Sequence, residues 1–212
     1  MRLSRLADAA SLSLLAFSWS VGLWFHRTLP EVVPIHWGLD GQPNGWGPRW
    51  VNSIGFPAVA TLVYLTLIVL PRRDARKRHD DRILPVFAFY RLVVVLFLVV
   101  IHGALLAIST GHPVDVTLLI RIVLPLLLLG IGAGFTRLPP NSYGGFRFPW
   151  TLASEEAWTK THRFAGRLWI WGSLVALAAA ALPLLPGAAV LVATILILAF
   201  VPLVYALRLR NT

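Results

Sequence analysis

The chain has 212 residues, of which 57% are hydrophobic and only 13% are charged. Soluble domains carry about 25% charged residues, so this composition excludes an ordinary water-soluble domain. The formal net charge is +10, and the sequence contains no cysteine. Disulfides, thiolate catalysis and cysteine-bound metals are therefore excluded.

The apolar residues come in runs of about twenty, the length that crosses a bilayer core as a helix. The runs lack the alternation that is typical of membrane β-strands. We therefore predict an all-α, polytopic membrane protein with six transmembrane helices. The predicted spans are residues 9–28, 54–70, 84–108, 114–136, 165–182 and 187–207.

The first apolar run follows two arginines, as the core of a signal peptide would. No small-residue cleavage site follows it, because residues 24–27 read WFHR. We therefore expect a retained N-terminal helix that anchors the chain.

The Lys and Arg residues divide unequally between the two sets of span ends. Fifteen lie at one set of ends, and only Arg27 and Arg49 lie at the other. The richer side is cytoplasmic by the positive-inside rule, which places both termini in the cytoplasm. The basic surplus is then an orientation signal that also attracts anionic lipid, and direct nucleic-acid binding is not expected. The fifteen residues are Arg2, Arg5, Arg72, Arg73, Arg76, Lys77, Arg78, Arg82, Arg137, Arg147, Lys160, Arg163, Arg167, Arg208 and Arg210.

Two arginines lie several residues inside predicted spans, where a central charge is costly. Arg91 and Arg121 both lie near enough to a span end for the side chain to snorkel to the membrane surface. That is the expectation, and the alternative is that they face the interior of the bundle. His102 stands alone on an apolar face, so we expect a hydrogen-bonded packing residue.

The predicted extracytoplasmic loop, residues 29–53, is too long to be a plain turn. The pairs Asp40-Gly41 and Asn44-Gly45 favour turns, which predicts a compact cap on the outer surface. Tryptophan rings suit the headgroup layer, and this loop has Trp37, Trp46 and Trp50.

Histidine and aspartate in this loop raise the possibility of a metal site. His26, His36 and Asp40 do not stand at a spacing that a helix or strand enforces, and a calcium loop needs more oxygen ligands. We expect no metal, and we expect His36 to bond to the loop backbone. Recognition of an external ligand is the remaining alternative.

The predicted cytoplasmic loop, residues 137–164, is called the signature segment below. Pro139-Pro140 should end the fourth helix, Gly144-Gly145 should allow a bend, and Pro149-Trp150 should extend the chain. Ser154 is a good N-cap for a helix that begins with two glutamates and continues into the fifth span.

Helical spacing predicts two faces at the start of that helix. No His pair has metal-binding spacing, and no nucleophile accompanies an acid/base pair. We therefore expect neither a metal, nor a cofactor, nor an enzyme. One face carries Glu155, Trp158, Thr159, His162 and Gly166, and the other carries Glu156, Lys160, Arg163 and Arg167.

The signature segment resembles the SdpI family of bacterial membrane proteins. The motif is N-x-x-x-G-F-R-F-P-W-T-L followed by W-x-K-T-H-R-x-x-G-R, from Asn141 to Arg167. Phe146 and Phe148 stand where the family more often has Ile and Thr. The residues that match are Asn141, Gly145, Arg147, Pro149, Trp150, Thr151, Leu152, Trp158, Thr161, His162, Arg163 and Gly166.

The outer loop is similar to a short domain of unknown function, DUF1648, that often precedes such segments. The matching residues are Pro30, Pro34, His36, Gly41, Pro43 and Gly45. The resemblance implies a DUF1648-like part over residues 1–70, with two spans and the outer loop. An SdpI-like part with four spans follows over residues 71–212.

The resemblance further implies a multi-pass protein of the bacterial cytoplasmic membrane. Its partners would be the lipid bilayer, a secreted antimicrobial peptide toxin outside and a transcriptional repressor inside. Immunity to the toxin, relay of its presence to the repressor, or both would be the function. The candidate partner- or ligand-binding residues are His36, Trp37, Asp40, Asn44, Trp46, Asn141, Arg147, Pro149, Trp150, Glu155, Trp158, His162 and Arg163.

Two other functions stay open at the level of sequence. One is a membrane enzyme or small-solute transporter that uses the region of Arg147, Glu155 and His162. The other is a structural membrane subunit without a ligand.

Overall fold

The computed structural model describes residues 2–38, 40–73 and 82–211. Within these ranges, six helices are long and apolar enough to cross a membrane. The predicted all-α class with six spans is therefore confirmed. Arg76, Lys77 and Arg78, which belong to the predicted basic side, lie outside the described residues.

The helices follow the predicted order, with one short addition. The helix of the first span begins at Arg2, earlier than predicted, and continues without a break to Phe25. The helices are α1 (Arg2–Phe25), α2 (Phe56–Arg72), α3 (Ile83–Ser109), α4 (Val116–Phe135), α5 (Pro149–Ala153), α6 (Glu155–Ala178) and α7 (Leu184–Arg208).

The outer loop folds into an antiparallel hairpin of β1 (Val32–Trp37) and β2 (Pro43–Pro48). Asp40-Gly41 lies in the predicted turn, with Gly41 at φ 76°. The predicted turn at Asn44-Gly45 is wrong, because both residues lie in β2. Glycine is needed there for another reason: a Cβ on Gly45 would lie 2.9 Å from the Cβ of His36 on the facing strand.

Helix α3 packs against α1, α2 and α4, and α6 packs between α4 and α7. The α4–α6 crossing is close because each helix presents a glycine, as is usual for membrane helices. A Cβ on Gly166 would lie 2.7 Å from the carbonyl oxygen of Gly132. We call the end of the bundle that carries both chain termini the basic end, and the opposite end the hairpin end.

The expectation that Arg91 and Arg121 snorkel is wrong, since their exposed fractions are only 5% and 6%. Arg91 donates from Nη2 and Nε to Asp8 Oδ1, at 2.6 and 2.8 Å. Arg121 Nη2 donates to the carbonyl oxygens of residues 179, 180 and 182, at 2.9, 2.9 and 2.6 Å. Interior acceptors, among them carbonyls left free where α6 ends, offset part of the cost of burying each guanidinium, although Arg121 Nε has no partner among the described residues.

His102 is buried, and its Nδ1 lies 2.7 Å from Ser18 Oγ. Its ring also stacks on Phe56, with the ring centroids 5.7 Å apart. The prediction of a hydrogen-bonded packing residue is confirmed.

Candidate functional site

The hairpin is anchored to the bundle by buried contacts. Leu29 and Val33 pack against Leu106 of α3. Asn52 Nδ2 donates to the carbonyl oxygen of Pro34 at 3.1 Å and to Ser109 Oγ at 3.0 Å. One strand of the hairpin is thus tied to α3 through a single buried amide, which holds the hairpin in place.

The free face of the hairpin carries most of the predicted outer residues. His36, Asp40 and Asn44 are exposed, and Trp46 is 57% exposed, whereas Trp37 is half-buried. His36 Nδ1 bonds to Asn44 Oδ1 at 2.5 Å, so the expected bond to loop backbone is replaced by a cross-strand pair of side chains. The register brings them together, because His36 lies opposite Gly45, the neighbour of Asn44.

At the basic end, Asn141 organises the turn that follows α4. Its Oδ1 accepts from the backbone N–H groups of Tyr143 and Gly144, at 2.9 and 2.7 Å. Its Nδ2 donates to the carbonyl oxygens of Pro139 and Gly144, at 3.0 and 3.2 Å. Asn141 is 1% exposed, so this amide replaces water for four backbone groups and is not open to a ligand.

His162 joins the turn to helix α6. Its Nδ1 donates to the carbonyl oxygen of Trp158 at 2.9 Å, and its Nε2 accepts from the backbone N–H of Phe146 at 3.0 Å. A ring nitrogen that accepts from an N–H carries no proton, so this pattern requires the neutral imidazole with its proton on Nδ1. The ring stacks on Trp158 with centroids 4.0 Å apart, and both side chains are buried.

Residues Pro149–Ala153 form a short helix, α5, whereas Phe148 before it is extended, with φ −103° and ψ 157°. The predicted extended approach is therefore confirmed up to Phe148 and is wrong for Pro149 and Trp150 themselves. Pro149 occupies the first helical position, where its fixed φ and missing N–H are favourable. Thr151 Oγ1 accepts from the backbone N–H of Phe148 at 2.9 Å and donates to the carbonyl oxygen of Phe146 at 2.9 Å. The residue before the proline thus stays extended, as proline favours, and the cap allows a helical turn to begin at Pro149 itself.

Trp150 ties α5 to the C-terminal helix. Its Nε1 donates to the carbonyl oxygen of Ala206 at 2.8 Å. Its ring stacks on Phe148 with centroids 5.0 Å apart, and the guanidinium of Arg210 lies 5.9 Å from the ring centroid. The signature segment and the end of α7 therefore form one surface.

The remaining predicted inner residues are exposed on that surface. Arg147, Pro149 and Arg163 are exposed, and Glu155 is exposed while it pairs with Arg82 at 3.3 Å. Ser154 caps α6 as predicted, since its Oγ accepts from the backbone N–H of Ala157 at 3.2 Å. Exposure thus separates side chains that can meet a partner from those that position the segment.

Arg147, Glu155 and His162 do not converge on one point. His162 is buried with both ring nitrogens bonded, whereas Arg147 and Glu155 are exposed. The predicted helical face also divides, because Trp158, His162 and Gly166 are buried and Glu155 points to solvent. This geometry gives His162 no free lone pair with which to accept a proton from a substrate.

Sequence reasoning missed three positioning residues: Asn52, Thr151 and Arg82. Thr151 stands three residues after Phe148, which is the spacing of a helix cap. The role of Thr151 could therefore have been predicted from the sequence. Asn52 and Arg82 act across 18 and 73 residues of sequence, and no local pattern indicates such contacts.

Comparison with known proteins gives two matches to family models. Residues 137–206 match the SdpI/YfhL protein family. The resemblance to the SdpI family is confirmed. Residues 13–61 match the domain of unknown function DUF1648, so the SdpI-like segment and the hairpin segment match separate models.

A curated relative supports the same similarity over most of the chain. The immunity protein SdpI of Bacillus subtilis (strain 168) is 25% identical over 158 residues, which cover 74% of this chain and 73% of the relative. No solved structure matches this SdpI-like chain. The combination of the SdpI-like segment with six apolar helices makes this a multi-pass membrane protein.

Proposed function

We propose that this protein lies in the cytoplasmic membrane of a bacterium and gives immunity to a secreted antimicrobial peptide toxin. Relay of the toxin's presence to a cytoplasmic repressor is part of the same proposal. The observation that carries it is the similarity to the immunity protein SdpI across 74% of this chain.

The hairpin is the proposed contact for the toxin. Its free face combines an exposed tryptophan, Trp46, with the hydrogen-bonding groups of His36, Asp40 and Asn44. Aromatic side chains with polar neighbours dominate protein recognition surfaces. Because Asn52 and Val33 hold the hairpin on α3, little ordering of the backbone would be needed on binding.

The basic end is the proposed contact for the repressor. Arg147 and Arg163 are exposed in the same segment as the half-buried Trp150, and arginine and tryptophan are among the residue types most enriched in binding hot spots. Asn141, Trp158 and His162 act as positioning residues, because they are buried and hold the segment that presents the arginines.

Survival of a toxin-sensitive bacterium tests the immunity function. We expect expression of the protein to raise survival against a secreted peptide toxin, and Trp46→Ala to reduce that gain. Trp171→Ala is the matched control, since Trp171 is 68% exposed on α6 and lies outside the hairpin. If the wild-type protein gives no gain against related peptides, immunity is abandoned.

Capture of a cytoplasmic protein from membranes tests the relay separately. We expect the double variant Arg147→Ala/Arg163→Ala to lose the captured partner while it keeps the survival gain. Arg73→Ala removes an exposed charge at the end of α2, outside the surface that the signature segment forms with α7, and should keep both the captured partner and the survival gain. A partner that binds the double variant as well as the wild type would exclude these arginines from the contact.

A further inference from the structure

A small cavity of about 210 Å³ opens at the basic end among α1, α2 and α3. Its wall includes Arg5 and Asp8 of α1, Arg72 of α2 and Arg91 of α3. Arg5 and Asp8 are three residues apart, so they lie on the same side of their helix. The first turns of α1, the last turn of α2 and the first third of α3 thus direct charged side chains to one place.

The charges in this cavity do not balance. The described residues that line it supply three guanidinium groups and one carboxylate, a formal excess of two positive charges among them. The buried Arg91 is already paired with Asp8 at 2.6 Å and also donates to the carbonyl oxygen of Leu67 at 3.1 Å. Arg5 and Arg72 are exposed, and within the described ranges neither forms an ion pair. Like charges that converge without a counter-ion repel each other, so the cavity is electrostatically suited to an anion.

Size and donor chemistry indicate a phosphate. The volume of about 210 Å³ is below the range of about 300–1,000 Å³ that is usual for drug-sized ligands. Planar guanidinium groups bind phosphate oxygens through paired N–H donors. A compact phosphate group fits both conditions.

The position in the bundle indicates that the phosphate belongs to a lipid. The cavity lies at the end that the positive-inside rule assigns to the cytoplasm, where anionic lipids meet the protein, and basic pockets between transmembrane helices on that side bind lipid head groups. A second, mainly apolar cavity of about 820 Å³ also reaches the start of α1, and Ser4 lines both cavities. Leu6, Ala10 and Phe89 line this larger cavity, which offers a place for an acyl chain.

We propose that Arg5, Arg72 and Arg91 bind the phosphate of an anionic phospholipid of the cytoplasmic leaflet, with one acyl chain in the adjoining apolar cavity. Arg91 is held in place by Asp8, and Arg5 and Arg72 complete the site from the other two helices. The phosphate site has no lining residue from the hairpin or from the signature segment, and Arg137 is the only residue of that segment among the described residues that line the larger cavity. The proposal therefore does not depend on the immunity proposal.

Native mass spectrometry of the full-length protein, purified in detergent, tests the site with phosphatidylglycerol and phosphatidylcholine as probes. We expect wild-type protein to retain phosphatidylglycerol in preference to phosphatidylcholine. An arginine near an anionic head group contributes about fivefold in affinity, so Arg5→Gln/Arg72→Gln should weaken phosphatidylglycerol binding by about 25-fold. The control Arg167→Gln/Arg208→Gln removes the same charge from exposed positions outside the cavity and should bind as the wild type does.

Three results would overturn the proposal. Equal retention of phosphatidylglycerol by the wild type and by Arg5→Gln/Arg72→Gln would exclude the cavity as the lipid-binding site. An equal loss in the Arg167→Gln/Arg208→Gln control would reduce the effect to general surface charge. Displacement of the lipid by millimolar glycerol phosphate would identify the ligand as a soluble phosphate. Arg5 and Arg72 are exposed, so their replacement should leave the fold intact, and unchanged thermal unfolding of both double variants verifies this.

Discussion

Buried side chains with polar atoms hold the backbone of the signature segment in place, and two of them do so across long separations in sequence. His162 bonds to Phe146, 16 residues away, and Trp158 Nε1 bonds to the carbonyl oxygen of Leu138, 20 residues away at 2.8 Å. Asn141 satisfies four backbone groups within its own turn. These residues match the family motif, and their role is to hold the segment in the shape that presents its exposed side chains. They are not themselves part of the exposed surface.

Replacing His162 should therefore destabilise the protein. We expect His162→Ala to lower the free energy of unfolding by about 1–3 kcal/mol, because the partly buried N–H of Phe146 loses its acceptor. Arg163→Ala, at the next and exposed position, should change it by less than about 0.5 kcal/mol. Thermal unfolding in detergent, followed by tryptophan fluorescence, measures both, and equal stability of the two variants would contradict the assigned role.

The pair of Arg91 and Asp8 makes a second prediction for single residues. Breaking a buried ion pair lowers the free energy of unfolding by about 3–5 kcal/mol. Because the Asp8 side chain is 34% exposed, we expect Asp8→Ala to lower it by less, about 2 kcal/mol. The double variant Asp8→Ala/Arg91→Met should recover much of the loss, since no unpaired buried charge remains. A double-mutant cycle of unfolding free energies tests this, and purely additive effects would exclude the coupling.

The conformation of the signature segment depends on a bend at Gly144-Gly145. Gly145 has φ +100°, and a Cβ there would collide with the imidazole of His162. A Cβ on Gly144 would have its nearest contact at 3.7 Å, with Phe87. Two adjacent glycines therefore have different importance, which the sequence GG does not reveal.

This difference gives a matched pair of variants. We expect Gly145→Ala to cost about 1–3 kcal/mol, because alanine is strained at positive φ, and to reduce capture of the proposed cytoplasmic partner. Gly144→Ala should leave both quantities near those of the wild type. Unfolding curves and the capture assay measure the pair, and the prediction is wrong if Gly144→Ala is the more damaging change.

Local signals predicted some parts of this element well and others poorly. Ser154 followed by two glutamates correctly predicted where α6 begins, because a helix cap is a contact between residues three apart. The extended approach was predicted correctly for Phe148. The short helix that begins at Pro149 was missed, because it depends on Thr151 bonding back to Phe146 and Phe148. The two preferences are satisfied one after the other, and the bond from Trp150 to Ala206 holds the short helix against α7.

For the whole molecule, the distribution of basic residues predicts one orientation. Both termini and the signature segment lie at the basic end, joined by the contacts of Trp150 with Ala206 and of Arg82 with Glu155. The hairpin lies at the opposite end, so no single site can include both predicted groups of residues. A ligand outside and a partner inside would have to be coupled through the helices.

Cysteine labelling tests this orientation, since the chain contains no cysteine of its own. We expect Asn44→Cys to react with an impermeant maleimide in intact cells, and Ala153→Cys to react only after the membrane is opened. Both positions are exposed, so burial would not prevent the reaction. The reverse pattern would invert the proposed topology.

The sequence by itself determined the membrane class, the six spans and the asymmetry of charge. These follow from composition and from helix length against bilayer thickness, which need no knowledge of neighbours. Only the tertiary structure decided that Arg91 and Arg121 face inward, that Asn44-Gly45 lies in a strand and that His162 is a positioning residue. Each of these depends on a partner distant in sequence or on a facing strand, and the free energy of burying a polar group is set by that partner.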